Sequence, residues 1–196
     1  DKLKGFVGNE YTAFGTAIHT VCEKKLLKED IDDERVFIDS FSDNIADLGD
    51  DVSVDSGLVD QMVGQGKAIL PEVEEALISY FGYDFEVFST EERIYEPMEG
   101  LELKFKGFID AVIKTPDGKY HIVDWKTCSW GWNARKRADP MVTYQLTLYK
   151  NYFAKKHNID PNIIETHFAL LKRTAKKDRV EFFRVTSGAI KMANAL

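Results

Sequence analysis

The stretch FKGFIDAVIKTPDGKYHIVDWKTCSW, residues 105–130, decides the fold. Two apolar runs, Phe108 to Ile113 and Tyr120 to Trp125, flank Thr115-Pro116-Asp117-Gly118-Lys119. Proline suits the second position of a type I turn, and glycine takes the left-handed conformation that follows. Pro116-Asp117-Gly118 therefore reads as a three-residue hairpin loop. With Thr115 paired to Lys119, Asp110 stands opposite Asp124. Opposed residues share a face, as do residues two apart along a strand, so Asp110, Asp124 and Lys126 converge on one patch. A two-residue Asp117-Gly118 turn would instead slip the register by one and part the two aspartates.

Carboxylates set among Ile, Val, Phe and Trp are costly to bury without a cation or strong donors. Hard oxygen ligands suit Mg²⁺ or Mn²⁺. A lysine beside such a metal holds a water or stabilises charge on a phosphate. A plainer reading stands beside this one, in which the two acids pair with Lys126 and Lys106 at a sheet end. The acid-any-lysine triplet carries no weight by itself, for it recurs at Glu23/Lys25, Glu102/Lys104 and Asp117/Lys119. Only at Asp124 does it lie in an apolar strand with a second acid opposite.

A chain of 196 residues, 44% hydrophobic and 30% charged, is expected to form one domain with a substantial core. No apolar run approaches the ~20 residues that span a bilayer, and no signal-peptide pattern opens the chain. Two cysteines, Cys22 and Cys128, make neither a disulfide framework nor a four-cysteine metal site, so a reducing, cytoplasmic setting is expected. With no Met at its start, the chain reads as a fragment. The net charge of −7 is unevenly spread. Residues 1–100 hold 8 Lys/Arg against 24 Asp/Glu, net −16, whereas residues 101–196 hold 18 against 9, net +9. That asymmetry points to a basic working face on the second half, while a solvated acidic lobe accounts for the first.

Outward from the hairpin, Asn9 caps an expected helix from about Glu10 to Lys28, apolar at Phe14, Ala17, Ile18, Val21, Cys22 and Leu26. Gly15, His19 and Glu23 fall on one stripe of it. His19 reads either as a metal ligand or as a packed helix histidine. Glu29 to Asp60 is acidic and reads as a solvated insertion with short helical turns. A second helix covers Gly57 to Lys67 and runs on, or breaks near Pro71, toward Phe81. Phe85 to Tyr95 is a strand ended by Pro97, with Glu91 and Glu92 inside it.

After the hairpin, Ser129 to Arg137 sets Trp130 and Trp132 before Arg135, Lys136 and Arg137. Aromatic faces stack on bases and cations meet phosphates, although tryptophans also pack beneath loops. Asp139 caps a helix with Pro140 in its first turn. Its buried side is read as Met141, Tyr144, Leu148, Tyr152 and Phe153, with Gln145 and Tyr149 as a polar stripe. Ile163 to Leu171 and Val180 to Val185 are two further strands, joined by a turn carrying Lys172, Arg173, Lys176 and Lys177, and Ser187 starts a last helix. The order is helices, three strands, a helix, two strands, an α/β domain on a central mixed sheet. An acidic helical part, residues 1–84, precedes a sheet-containing part, residues 85–196.

At this point the chain resembles the PD-(D/E)XK nuclease superfamily, in its RecB-like branch. The matching pieces, in family order, are Gly15…His19…Glu23, Gly107-Phe108-Ile109-Asp110, Ile122-Val123-Asp124-Trp125-Lys126-Thr127 and Gln145…Tyr149. The resemblance implies a restriction-endonuclease-like core. It also implies that His19, Asp110, Asp124 and the Trp125 carbonyl bind the metal and that Lys126 positions the attacking water. Gln145 and Tyr149 would hold substrate, and Glu92 rather than Glu91 resembles a further acid. The implied activity is that of a Mg²⁺- or Mn²⁺-dependent deoxyribonuclease of exonuclease type, in DNA repair, recombination or phage DNA metabolism. DNA is then the partner, on Trp130, Trp132, Arg135, Lys136, Arg137, Lys172, Arg173, Lys176 and Lys177, with a helicase or recombination protein as a further one. A silent DNA-binding module and a nuclease acting on RNA are the alternatives. Some members carry a four-cysteine iron–sulfur cluster, which is not expected from this chain.

Overall fold

A computed structural model describes residues 8–98, 100, 102 and 104–187. Side-chain chemistry places the helix starts. Asn9 and Thr12 form a reciprocal cap for α1 (Glu10–Leu26). Asp32, Asp55 and Asp139 accept backbone N–H bonds at the starts of α2 (Asp33–Ala46), α3 (Ser56–Ile69) and α6 (Pro140–His157). Between these lie α4 (Glu72–Phe81), ended at Gly82 with φ +88°, and the short α5 (Ala134–Ala138). Part of the acidity read as solvated insertion is therefore helix capping.

Among the described residues the strands are β1 (Glu86–Pro97), β2 (Lys104–Lys114), β3 (Tyr120–Cys128), β4 (Ile164–Lys172) and β5 (Val180–Val185), side by side in chain order. Only β3 and β4 are parallel, joined through α6, and the other pairs are antiparallel, so the sheet is mixed as expected. The hairpin has the three-residue turn. Lys114 faces Tyr120 and Ala111 faces Val123, Thr115 bonds Lys119, and Gly118 takes φ +81°.

Side-chain alternation in β3 and β4 divides the apolar residues between two cores. Val123, Trp125, Ala169 and Leu171 meet α1–α4, whereas Ile122, Phe168 and Leu170 meet α6. Strands buried on both faces read as near-continuous apolar runs, as these do.

Two elements depart from expectation. Residues 33–46 are a full helix rather than irregular turns. Phe37 and Phe41, one turn apart, stack on each other and meet Phe14 edge-on. The ring of Phe37 rests on Gly66, where a Cβ would lie 2.2 Å from it. On α6, Met141 is exposed, while Thr143, Leu146, Thr147 and Tyr149 are buried. Thr143 and Thr147 donate to carbonyls one turn back, so they pack as small apolar residues and shift the buried face. The helix expected from Ser187 onward lies outside the described residues.

Candidate active site

The β2–β3 ladder stops at Ala111/Val123, although both strands run on. Beyond it the Asp110 carboxylate takes the place of the strand, its Oδ2 accepting from the Trp125 N–H at 2.7 Å. Asp124 is 3% exposed, one turn of pleat away on β3. Its Oδ2 lies 2.8 Å from Lys126 Nζ, yet no donor among the described residues meets that oxygen along a hydrogen-bond direction.

Burial, and then the Asp124 charge, push the Asp110 carboxyl up to about 8 against the Trp125 N–H bond. Burial likewise raises Asp124, although Lys126 opposes it. Two carboxylates this close resist joint ionisation unless a cation joins them.

His19, on α1, lies near enough to Lys126 and the Trp125 backbone for both to act on its ring. Burial, reinforced by Lys126, lowers it to about 4, so its imidazole is neutral and its lone pair is free to ligate. Asp110, Asp124, neutral His19 and a backbone carbonyl are a donor set of hard oxygens plus one imidazole. With the Asp124 oxygen that lacks a hydrogen bond, these donor types would suit a divalent cation, although among the described residues it is His121, Glu165 and His167 whose ligand atoms already lie within 4.8 Å of one another.

Lys126 Nζ also donates to Gln145 Oε1 at 3.1 Å, and Gln145 Nε2 donates to the Tyr149 hydroxyl at 3.0 Å. This chain of bonds ties β3 to the first turns of α6. Burial, with Asp124 next, raises the Tyr149 phenol to about 12, so it stays protonated. Its ring lies under Gly107, where a Cβ would come within 2.7 Å of it. The close approach explains why glycine begins the Gly107-Phe108-Ile109-Asp110 strand.

Of the two adjacent glutamates, Glu91 is the one whose charge reaches Asp110. Glu92 is buried on the α6 side, held by Ser89, Lys156 and His157. Glu91 instead acts on Asp110, and desolvation with the nearby Glu23 charge holds it above the ordinary range. A left-handed backbone at Glu91, φ +46°, breaks the strand's simple alternation there. Glu23, on the helix stripe with His19, accepts from Thr90.

The basic residues divide in the same way. Trp130 is 78% exposed, and Arg135, Lys136, Lys176 and Lys177 are exposed. Trp132 packs edge-on against Phe168 and Phe183 under Lys136. Arg137 and Lys172 both pair with Glu181, and Arg173 is bonded to Gln65 and Ser129 over the Tyr11 ring. A stacking role at Trp132 and free phosphate contacts from Arg137, Lys172 and Arg173 thus give way to packing and internal pairing.

A family model described as the PD-(D/E)XK nuclease superfamily matches residues 5–187. Among solved structures, a Eubacterium rectale protein provisionally named an exonuclease superposes over 98% of this chain, with TM-score 0.59 and 13% identity, which is a likeness of fold. This chain spans 64% of the length of that one. The protein SSO0001 aligns with TM-score 0.40 and 16% identity, over 94% of this chain and 70% of its own. No curated protein matches the chain.

Proposed function

Because the chain belongs to the PD-(D/E)XK nuclease superfamily and has its restriction-endonuclease-like fold, we propose that it is a Mg²⁺- or Mn²⁺-dependent deoxyribonuclease, exonucleolytic, acting in DNA repair, recombination or phage DNA metabolism. One observation carries the reading: Lys126 Nζ is held between Asp124 and Gln145, beside Asp110 and a neutral His19. His19, Asp110, Asp124 and the Trp125 carbonyl would hold the metal. When bound, the ion supplies Lewis-acid polarisation of the phosphoryl oxygen and a lowered pKa for a bound water.

The chain's own residues do the rest. An ammonium has three N–H donors; Gln145 takes one while Asp124 pairs with the charge, which leaves donors for the water or a phosphate oxygen. Fixing Lys126 before substrate arrives means that little reorganisation is needed as charge develops. Gln145 acts through Lys126 and is itself oriented by Tyr149, so both are positioning residues. Trp130 and the exposed cations Arg135, Lys136, Lys176 and Lys177 would carry the strand by stacking and phosphate contact.

The test is incubation of end-labelled single- and double-stranded DNA with Mg²⁺, Mn²⁺ or EDTA. Progressive shortening from an end, stopped by EDTA, is expected. Cleavage that survives chelation would overturn the metal-dependent reading, and cleavage confined to RNA would move the substrate.

A further inference from the structure

A second cluster of metal-binding side chains lies on the opposite face of the sheet from Lys126 and Gln145, at the start of β3. Its members come from two strands. In the parallel β3–β4 pairing His121 faces Glu165 and Val123 faces His167. Opposed residues and residues two apart share a face, so His121, Glu165 and His167 are brought together by register alone. Asp124 is three residues further along β3, roughly 10 Å at strand rise, and points the other way.

The two histidines are 7% and 2% exposed, and His121 Nδ1 lies 2.9 Å from His167 Nε2. Glu165 Oε2 is 3.7 Å from His121 Nδ1, and all three ligand atoms lie within 4.8 Å of one another. Both imidazoles are held below their usual range, chiefly by burial, His167 to about 3. They are therefore free bases in neutral solution.

The outer hydrogen bonds point the lone pairs inward. Thr115 gives its single proton to Asp117, so it accepts from His121 Nε2–H at 2.9 Å. That leaves the His121 Nδ1 lone pair facing His167. The other His167 nitrogen, Nδ1, lies 3.1 Å from the Tyr80 hydroxyl. Histidines that ligate metals are commonly anchored in this manner through the nitrogen that does not ligate. Glu165 uses Oε1 for Lys119 and Arg184, while Oε2 turns toward His121. A pocket of about 430 Å³ opens on the cluster, lined also by Phe81 and Pro116, with room for an ion and a water.

We propose that His121, Glu165 and His167 form a second metal site, for Zn²⁺ or another borderline transition ion, that clamps β3 to β4 beneath α4. Two imidazoles and a carboxylate are a zinc donor set with one position left for water, whereas Mg²⁺ prefers oxygen throughout. Metal–nitrogen distances of ~2.0–2.1 Å in a tetrahedron place the nitrogens roughly 3.3 Å apart, so the pair opens by a few tenths of an ångström. His167 keeps one proton, which moves from Nε2 to Nδ1 and is donated to Tyr80.

The site stands apart from the nuclease reading, and its test removes the carboxylate centre first. Asp110→Asn/Asp124→Asn protein is titrated with ZnCl₂ by calorimetry in excess Mg²⁺, and its melting is followed with and without zinc. One zinc per chain and a raised Tm are expected, since a ligand of the native state stabilises it. Adding His121→Asn or Glu165→Gln should weaken zinc binding at least tenfold and abolish the Tm rise. Glu165→Gln keeps both buried histidines and so preserves the fold. Absence of saturable binding in the first protein overturns the proposal, as does unchanged affinity in folded Glu165→Gln and His121→Asn proteins. An inactive nuclease with intact zinc binding leaves it standing.

Discussion

Lys126, paired with Asp124 and hydrogen-bonded to Gln145, is the side chain whose removal should separate binding from catalysis. Lys126→Met keeps length and removes charge. Loss of one preorganised donor costs about 10²–10³ in rate, or ~2.7–4 kcal/mol. Single-turnover cleavage in Mg²⁺ should fall by that factor, while DNA binding in Ca²⁺ stays near normal. Equal loss of both would make Lys126 a phosphate anchor. Asp110 carries a pH signature in addition to its effect on activity. Between the ordinary carboxylate range and about 8, the folded metal-free protein holds a proton that the unfolded chain has released. Its stability should therefore fall as pH rises through that window and level off above it. Asp110→Asn should flatten the fall in chemical denaturation across pH and abolish cleavage. A wild-type profile in that variant would place the titration elsewhere. Neighbouring glutamates should part ways: Glu92→Gln weakens a buried ionic cluster and costs about 1–3 kcal/mol with cleavage kept. Glu91→Gln changes metal dependence with little loss of stability. Denaturant midpoints and Mn²⁺ titrations on the same two variants decide it.

At the scale of elements, the site depends on how α6 sits on β2. Gly107 lets Tyr149 approach, and Tyr149 holds Gln145, which holds Lys126. Gly107→Ala forces the ring away, an overpacking that costs about 1–3 kcal/mol. Its cleavage rate should drop at least tenfold under conditions where the protein is still folded, although residue 107 lies two or more side chains from Lys126. Retained full activity would show that the Tyr149–Gln145 support is dispensable. Gly66→Ala provides the contrast. It meets the Phe37 ring on the other side of the sheet, so it should lower Tm while sparing the rate of the folded fraction.

Over the whole molecule, net charge alone argues against a nucleic-acid partner, but its placement reverses the argument. Among the described residues, many of the first half's acids cap helices or face solvent on α2–α4, while Arg135, Lys136, Lys176 and Lys177 stand exposed on the second half. Each phosphate contact on duplex DNA contributes about 0.9 to the slope of log affinity against log salt. Reversing Arg135 and Lys136 together should shallow that slope by up to roughly 2 and weaken binding irrespective of sequence. Reversing Arg137 or Lys172 should instead destabilise the fold, because Glu181 would then face a like charge in place of one of its two partners. An unchanged slope in the Arg135/Lys136 variant would move the DNA path to Lys176 and Lys177. No described helix is long and apolar enough to cross a membrane.

Sequence by itself determined the order of the strands, the hairpin register and the first and last long helices, together with the residues proposed for the site. Turn chemistry, strand alternation and helix caps act over a few residues, so they are written locally. Pro116-Asp117-Gly118 set the register as far as Ala111 and Val123, beyond which the Asp124 charge still acts on Asp110, and spacing put His19 and Glu23 on one stripe of α1. Tertiary structure decided what alternation and composition leave open. It chose Glu91 over Glu92 as the neighbour of Asp110, through a left-handed residue that changes which way each side chain points. It separated free cations from paired ones through Glu181, far away in the chain. It turned the buried face of α6 by hiding threonines that satisfy themselves on their own helix. It also brought His121 to His167 across a parallel pairing of β3 and β4. These outcomes rest on partners tens of residues distant, and their cause is the packing of one element on another, which local periodicity does not encode.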